Sequence, residues 1–96
     1  MAMWKYTIQS GSVLHEAIYD GNTQQTIECL IQCYQELLNK LNKADKADYQ
    51  IEIEDTIDAL TYCDMYQDDE DFQEEINCYL EDFYDLCDSI RAFIKI

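Results

Sequence analysis

The sequence predicts an all-α fold, a small helical bundle of three to four helices with a long C-terminal helix, and three observations predict it. Two glycines and no proline in 96 residues leave few places to break a helix. Apolar residues recur at +3 and +4 through the middle of the chain and again near its end, as one face of a helix requires. With 48% hydrophobic residues the chain suits one small core, so 1–96 reads as a single helical domain with 1–11 as an N-terminal arm.

Each element has its own signal. "SVLHEAIYD" reads as a short first helix from Ser12, as N-cap, to Asp20, stopped by Gly21. From Asn22 the spacing Ile27, Leu30, Ile31, Tyr34, Leu37, Leu38, Leu41 marks the clearest helix, with Asn22 and Gln25 resembling a capping box. The polar "NKADKAD" is expected to hold a turn. A third helix is expected from Asp48 to Tyr66, with Tyr49, Ile53, Ile57, Leu60 and Cys63 on one face, although "YQIEIE" over residues 49–54 also alternates as a strand does. The fourth helix carries the stripe Phe72, Ile76, Tyr79, Leu80, Phe83, Cys87, Ile90 and Ile94, with Asp68 or Asp69 capping its start.

Charge is the most uneven property of the chain. Six Lys and Arg against 21 Asp and Glu give a formal charge of −15. From Asp45 to Asp88 there are 17 acids and one base, Lys46, so 44 residues carry −16. The balance excludes the basic footprint of a protein that itself grips nucleic acid or anionic lipid, and any electrostatic partner is basic. Because the acidic run "YQDDEDFQEE" shares its sequence with the apolar stripe of the fourth helix, it is read as folded. At 100° per residue Glu70, Glu74, Glu81, Asp85 and Asp88 fall opposite that stripe, flanked by Glu75 and Asp82. Their row spans about 27 Å at roughly 1.5 Å per residue. The third helix adds Glu52, Glu54, Asp55 and Asp58. Two such helices side by side would present two negative ridges, as a nucleic acid duplex does. Like charges at i, i+4 cost a helix a few tenths of a kcal/mol each, and almost no lysine is interleaved to relieve them, so stability alone does not select this surface.

Other chemistries fit less well. Asp64 to Glu75 begins and ends as a calcium loop does, but Tyr66 and Asp69 stand where such a loop needs a ligand and a glycine. Cys29 and Cys33 lie one turn apart without a second close Cys or His pair to complete a zinc site. The five cysteines, an odd number at irregular spacing, read as thiols of a reducing compartment rather than as a disulfide framework. A single histidine, His15, and the absence of a glycine-rich phosphate loop give catalysis no foothold, so no enzyme activity and no cofactor are expected. The opening "MAMWKYTIQSGS" has no long apolar run, and no stretch approaches the roughly 18 apolar residues of a spanning helix. The expectation is a soluble protein that makes no membrane contact. Tyr62, Tyr66 and Tyr84 fall off the apolar stripes, where a ring beside carboxylates suits recognition of arginine and lysine.

In size and in "YQDDEDFQEE" and "YLEDFYDLCDSI", the last half of the chain resembles the small acidic helical inhibitors of phages and mobile elements, the anti-restriction and anti-CRISPR DNA mimics. The likeness is one of physical type and carries no motif. It implies a non-enzymatic inhibitor, acting in the cytoplasm of a bacterial host, that blocks the basic DNA- or RNA-binding channel of a defence nuclease. The expected partner-binding residues are Glu52, Asp55, Asp58, Tyr66, Asp68, Asp69, Glu70, Glu74, Glu75, Glu81, Asp82, Asp85 and Asp88. The partner is a basic nucleic-acid-binding protein or nuclease complex, with no direct nucleic acid contact and with a homodimer as an open possibility. The alternative is an acidic interaction subunit, antitoxin-like or regulatory, that binds a basic protein without imitating nucleic acid.

Overall fold

The computed structural model describes residues 4–62 and 70–95, and the side chains of 4–62 and 74–95. In chain order the elements are β1 (Tyr6–Ile8), α1 (Gly11–Asp20), α2 (Thr23–Lys40), α3 (Lys43–Thr61), α4 (Glu70–Ile90) and β2 (Ala92–Ile94). The predicted all-α bundle is present. A short two-stranded sheet, which the helical periodicity does not predict, is added to it.

α2 is the hub, with α1, α3, α4 and β1 all packed against it. Its apolar stripe buries Ile27, Leu30, Cys33, Tyr34 and Leu37, and burial of each large side chain contributes on the order of 1.5–3 kcal/mol. Opposite them lie Leu14 and Ala17 of α1, Ile53 and Leu60 of α3, and Ile76, Leu80, Phe83, Leu86, Cys87 and Ile90 of α4. The Phe83 ring meets the Tyr34 ring edge-on at 4.8 Å between centroids, which fixes α4 on α2.

Helix ends follow local chemistry. Asn22 caps α2 by accepting from the Gln25 N–H at 3.0 Å, as the sequence indicates. Gly21, at φ 70°, ends α1 in the left-handed region. α1 itself begins at Gly11, one residue before the expected Ser12 cap. A Cβ on Gly11 would strike the Ile94 side chain and come within 3.0 Å of the Lys95 carbonyl, so only glycine allows the C-terminal strand to lie this close.

Three expectations need correction. The segment "NKADKAD" is not a turn: Asn42 accepts from the Asp45 N–H at 2.8 Å, and α3 starts at Lys43, five residues before the expected Asp48. Residues 49–54 are helical. The C-terminal stripe does not run to Ile94 in one helix, because Arg91 turns left-handed at φ 58° and the chain leaves α4 to form β2. Finally, residues 1–11 are not simply an arm, since they contain β1, whose Tyr6 and Ile8 are buried.

β1 and β2 pair in parallel with Tyr6 opposite Ala92 and Ile8 opposite Ile94. Parallel strands need a long crossover, and here the four-helix body supplies it. The ladder continues past the strands through Lys5 N–H to the Arg91 carbonyl (2.8 Å) and Lys95 N–H to the Ile8 carbonyl (2.9 Å). No helix among the described residues is long and apolar enough to cross a membrane.

Candidate functional site

The acidic residues divide sharply into those the fold pairs and those it leaves open. Glu36 on α2 is paired. Its carboxylate accepts from the Gln9 N–H (2.7 Å), the Ser10 N–H (3.0 Å) and the Ser10 hydroxyl (2.7 Å), and it meets Lys40 Nζ at 2.9 Å. Burial raises its cost of ionisation, but the Ser10 hydroxyl, the Gln9 N–H and Lys40 outweigh it and hold the carboxyl down at about 2. Asp45 is paired as well, accepting from the Tyr6 hydroxyl and lying 3.6 Å from Lys5 Nζ.

The expected partner-binding acids behave otherwise. Glu52, Asp55 and Asp58 on α3, and Glu74, Glu75, Glu81, Asp82, Asp85 and Asp88 on α4, are all exposed. None of them forms an ion pair among the described residues, where both salt bridges, Lys5–Asp45 and Lys40–Glu36, lie elsewhere. Glu70 opens α4, but its side chain, like Tyr66, Asp68 and Asp69, lies outside the described residues, and so do the proposed caps of α4 and most of the calcium-like segment.

A groove separates the two acidic helices. It encloses about 370 Å³ and is lined by Tyr49, Glu52, Ile53 and Thr56 of α3, by Asp82, Asp85, Leu86 and Ser89 of α4, and by Tyr34 of α2 between them. The sequence places Glu52, Asp82 and Asp85 on acidic faces but gives no sign that these faces meet over one depression. Tyr34 and Tyr49 sit on apolar stripes and read only as core, whereas Tyr34 both packs on Phe83 and contributes to the groove. Burial pushes its hydroxyl well above the usual range, and the carboxylates of Asp82 and Glu52 add to the shift, which keeps the phenol neutral.

Of the tyrosines expected off the stripes, Tyr62 is exposed and Tyr84 only marginally so. A second hollow, of about 290 Å³, lies between His15, Asp85, Asp88 and the rings of Trp4, Tyr84 and Phe93 beside β2. His15 is half-buried there.

Of the described cysteines, Cys29, Cys33 and Cys87 take buried packing positions and Cys78 is exposed. Cys29 and Cys33 are both buried in the α2 stripe. Burial pushes the Cys33 and Cys87 thiols up to about 12, so neither supplies the thiolate that nucleophilic or metal chemistry uses at neutral pH. Among the described residues no three His, Cys, Asp or Glu side chains come together as a metal site would need. Comparison with protein-family models, with curated proteins and with solved structures finds no match to this chain.

Proposed function

We propose that the protein is a non-enzymatic acidic inhibitor, anti-CRISPR-like in physical type, whose α3 and α4 carboxylates stand in for nucleic-acid phosphates and occupy the basic DNA- or RNA-binding channel of a nuclease. One observation carries this reading: two helices that flank a single groove display eleven exposed carboxylates among the described side chains, nine of them expected partner-binding acids, and none of the eleven is ion-paired among the described residues. The same fold neutralises Glu36 on α2 and Asp45 in the first turn of α3 with nearby lysines and hydroxyls, so its failure to do so along the rest of α3 and on α4 is a property of those faces. Unpaired like charges cost stability. A basic partner that covers them recovers that cost on binding and gains a fast, steered encounter.

The test begins with affinity capture of the target from a bacterial lysate, and the deciding steps follow. Binding of the captured target should weaken steeply with salt, since exposed charge pairs are screened over about 8–10 Å. Duplex DNA or guide RNA should compete for the same site. Neutralising Glu70, Glu74, Glu81, Asp85 and Asp88 together should abolish inhibition while helix content is retained. Simultaneous binding of the target to this protein and to its nucleic acid, without loss of affinity for either, would overturn the mimicry and favour an acidic regulatory subunit.

A further inference from the structure

The groove between α3 and α4 has a floor that an acidic surface alone would not have. Tyr34 is only 2% exposed, yet it lines the depression. Its hydroxyl has no hydrogen-bond partner among the described residues, where no fully buried side-chain nitrogen or oxygen atom is left without one, so the hydroxyl opens to the groove. Glu52 on one wall and Asp82 on the other line the same groove, with this phenol between the two acidic helices. Asp85 and the half-buried Tyr49 complete the ring of acids and aromatics.

The chemistry of the occupant follows by exclusion. An apolar ligand is disfavoured, because carboxylates and hydroxyls make up most of the groove's walls and ligand pockets of this size are ordinarily apolar. A single metal ion is disfavoured, because no three His, Cys, Asp or Glu side chains among the described residues come together to hold one. What remains is a cation that is extended, offers several donors in a plane and stacks on a ring.

We propose that this groove is an arginine-binding site, in which the guanidinium of a partner's side chain bridges Glu52 and the Asp82–Asp85 wall, donates to the Tyr34 oxygen and lies against the Tyr49 ring. The inference rests on the reading above in one respect, that the arginine arrives on a basic partner. It adds a single specific anchor to a surface whose other carboxylates act collectively. A guanidinium satisfies several acceptors at once, whereas an ammonium is a compact point charge, so the site discriminates between the two.

The test uses the whole protein and two singly charged probes, N-acetyl-argininamide and α-N-acetyl-lysinamide, followed by amide and tyrosine-ring NMR shifts. The arginine probe should saturate at millimolar concentration, with shifts centred on residues 49–56 and 82–89, and the lysine probe should bind at least about threefold more weakly. Asp82→Asn with Asp85→Asn, both at exposed positions, should weaken the arginine probe about tenfold. Tyr34→Phe, which keeps the ring, should weaken it about threefold. Glu74→Gln with Glu75→Gln removes the same charge away from the groove and should change affinity less than about twofold. Equal weakening by the two double variants, or equal binding of arginine and lysine, would overturn the site. Because the probe reads no phosphate-like ridge, this result is independent of the competition test: loss of mimicry there leaves the arginine affinity standing, and loss of the groove here leaves mimicry standing.

Discussion

The β1–α1–β2 end of the molecule and the α3–α4 face solve the same problem, how to carry charge on a small fold, in opposite ways. At the first, one carboxylate, Glu36, gathers two backbone N–H groups, a hydroxyl and a lysine, and Lys40 also reaches the Thr7 carbonyl. At the second, carboxylates on two helices point to solvent without such partners. The difference teaches that the acidity of α3 and α4 is not what holds them in place. Their hold is apolar, through Ile53 and Leu60 on one helix and Phe83, Leu86 and Cys87 on the other.

The largest expected effect follows from that apolar hold. Phe83 is fully buried and is the ring through which α4 meets Tyr34 of α2. Phe83→Ala should cost about 3–5 kcal/mol, a fall in melting temperature of roughly 15 °C or more for a domain this size. A loss under about 1 kcal/mol would mean that the acidic face is held by something other than its core contacts.

Glu36 tests the opposite end, with a smaller effect. Its carboxylate lies near the surface, where solvent screens the ion pair, so Glu36→Ala should cost on the order of 1–2 kcal/mol. The sign of its pH dependence is fixed by its depressed pKa, held at about 2 against an ordinary 4.5. The unfolded chain takes up this proton first, so the contribution is fully present above about 4.5 and is lost as pH falls through 2. In urea melts between pH 6 and pH 2, the stability gap between wild type and Glu36→Gln should narrow across that window. A gap that stays constant would place the Glu36 contribution in packing instead of charge.

How far the sequence reveals this architecture depends on whether each signal is local. Asn22 and Gly21 advertise the α1–α2 junction because cap and stop chemistry reside in those residues. Arg91 advertises nothing: a left-handed residue with a long side chain replaces the glycine that normally marks a helix end, so the apolar spacing continues unbroken to Ile94. The start of α3 is hidden in the sequence for a related reason. Its first turn carries no large apolar residue, and its support comes from afar, with Tyr6 donating to Asp45 and accepting from the Asn42 N–H at 3.1 Å. The acidic faces are legible from 3.6-residue periodicity alone, but their meeting over Tyr34 is tertiary and leaves no trace in either helix's own pattern.

A smaller effect is expected at the cap of α3. Asn42→Ala removes the side-chain acceptor for the Asp45 N–H and should cost about 1 kcal/mol. Hydrogen exchange should place the loss in the first turns of α3, with α1 and α2 unaffected. Equal loss throughout would show that α3 does not open separately from the rest.

The smallest effect has the opposite sign. Glu81 and Asp85 lie one turn apart on α4, as do Asp85 and Asp88, with no lysine between them. Each such pair costs a helix a few tenths of a kcal/mol, so Glu74→Gln, Glu81→Gln, Asp85→Asn and Asp88→Asn together should stabilise the protein by about 0.5–1 kcal/mol. Salt should reproduce part of that gain in the wild type and little of it in the variant, because screening and neutralisation remove the same repulsion. Amides of α4 should then exchange roughly two- to fivefold more slowly, while the Glu36 end changes little. If the fourfold variant is instead less stable, the carboxylates serve the fold through contacts of their own. The acidic face would then be a structural device rather than a surface held open for a basic partner.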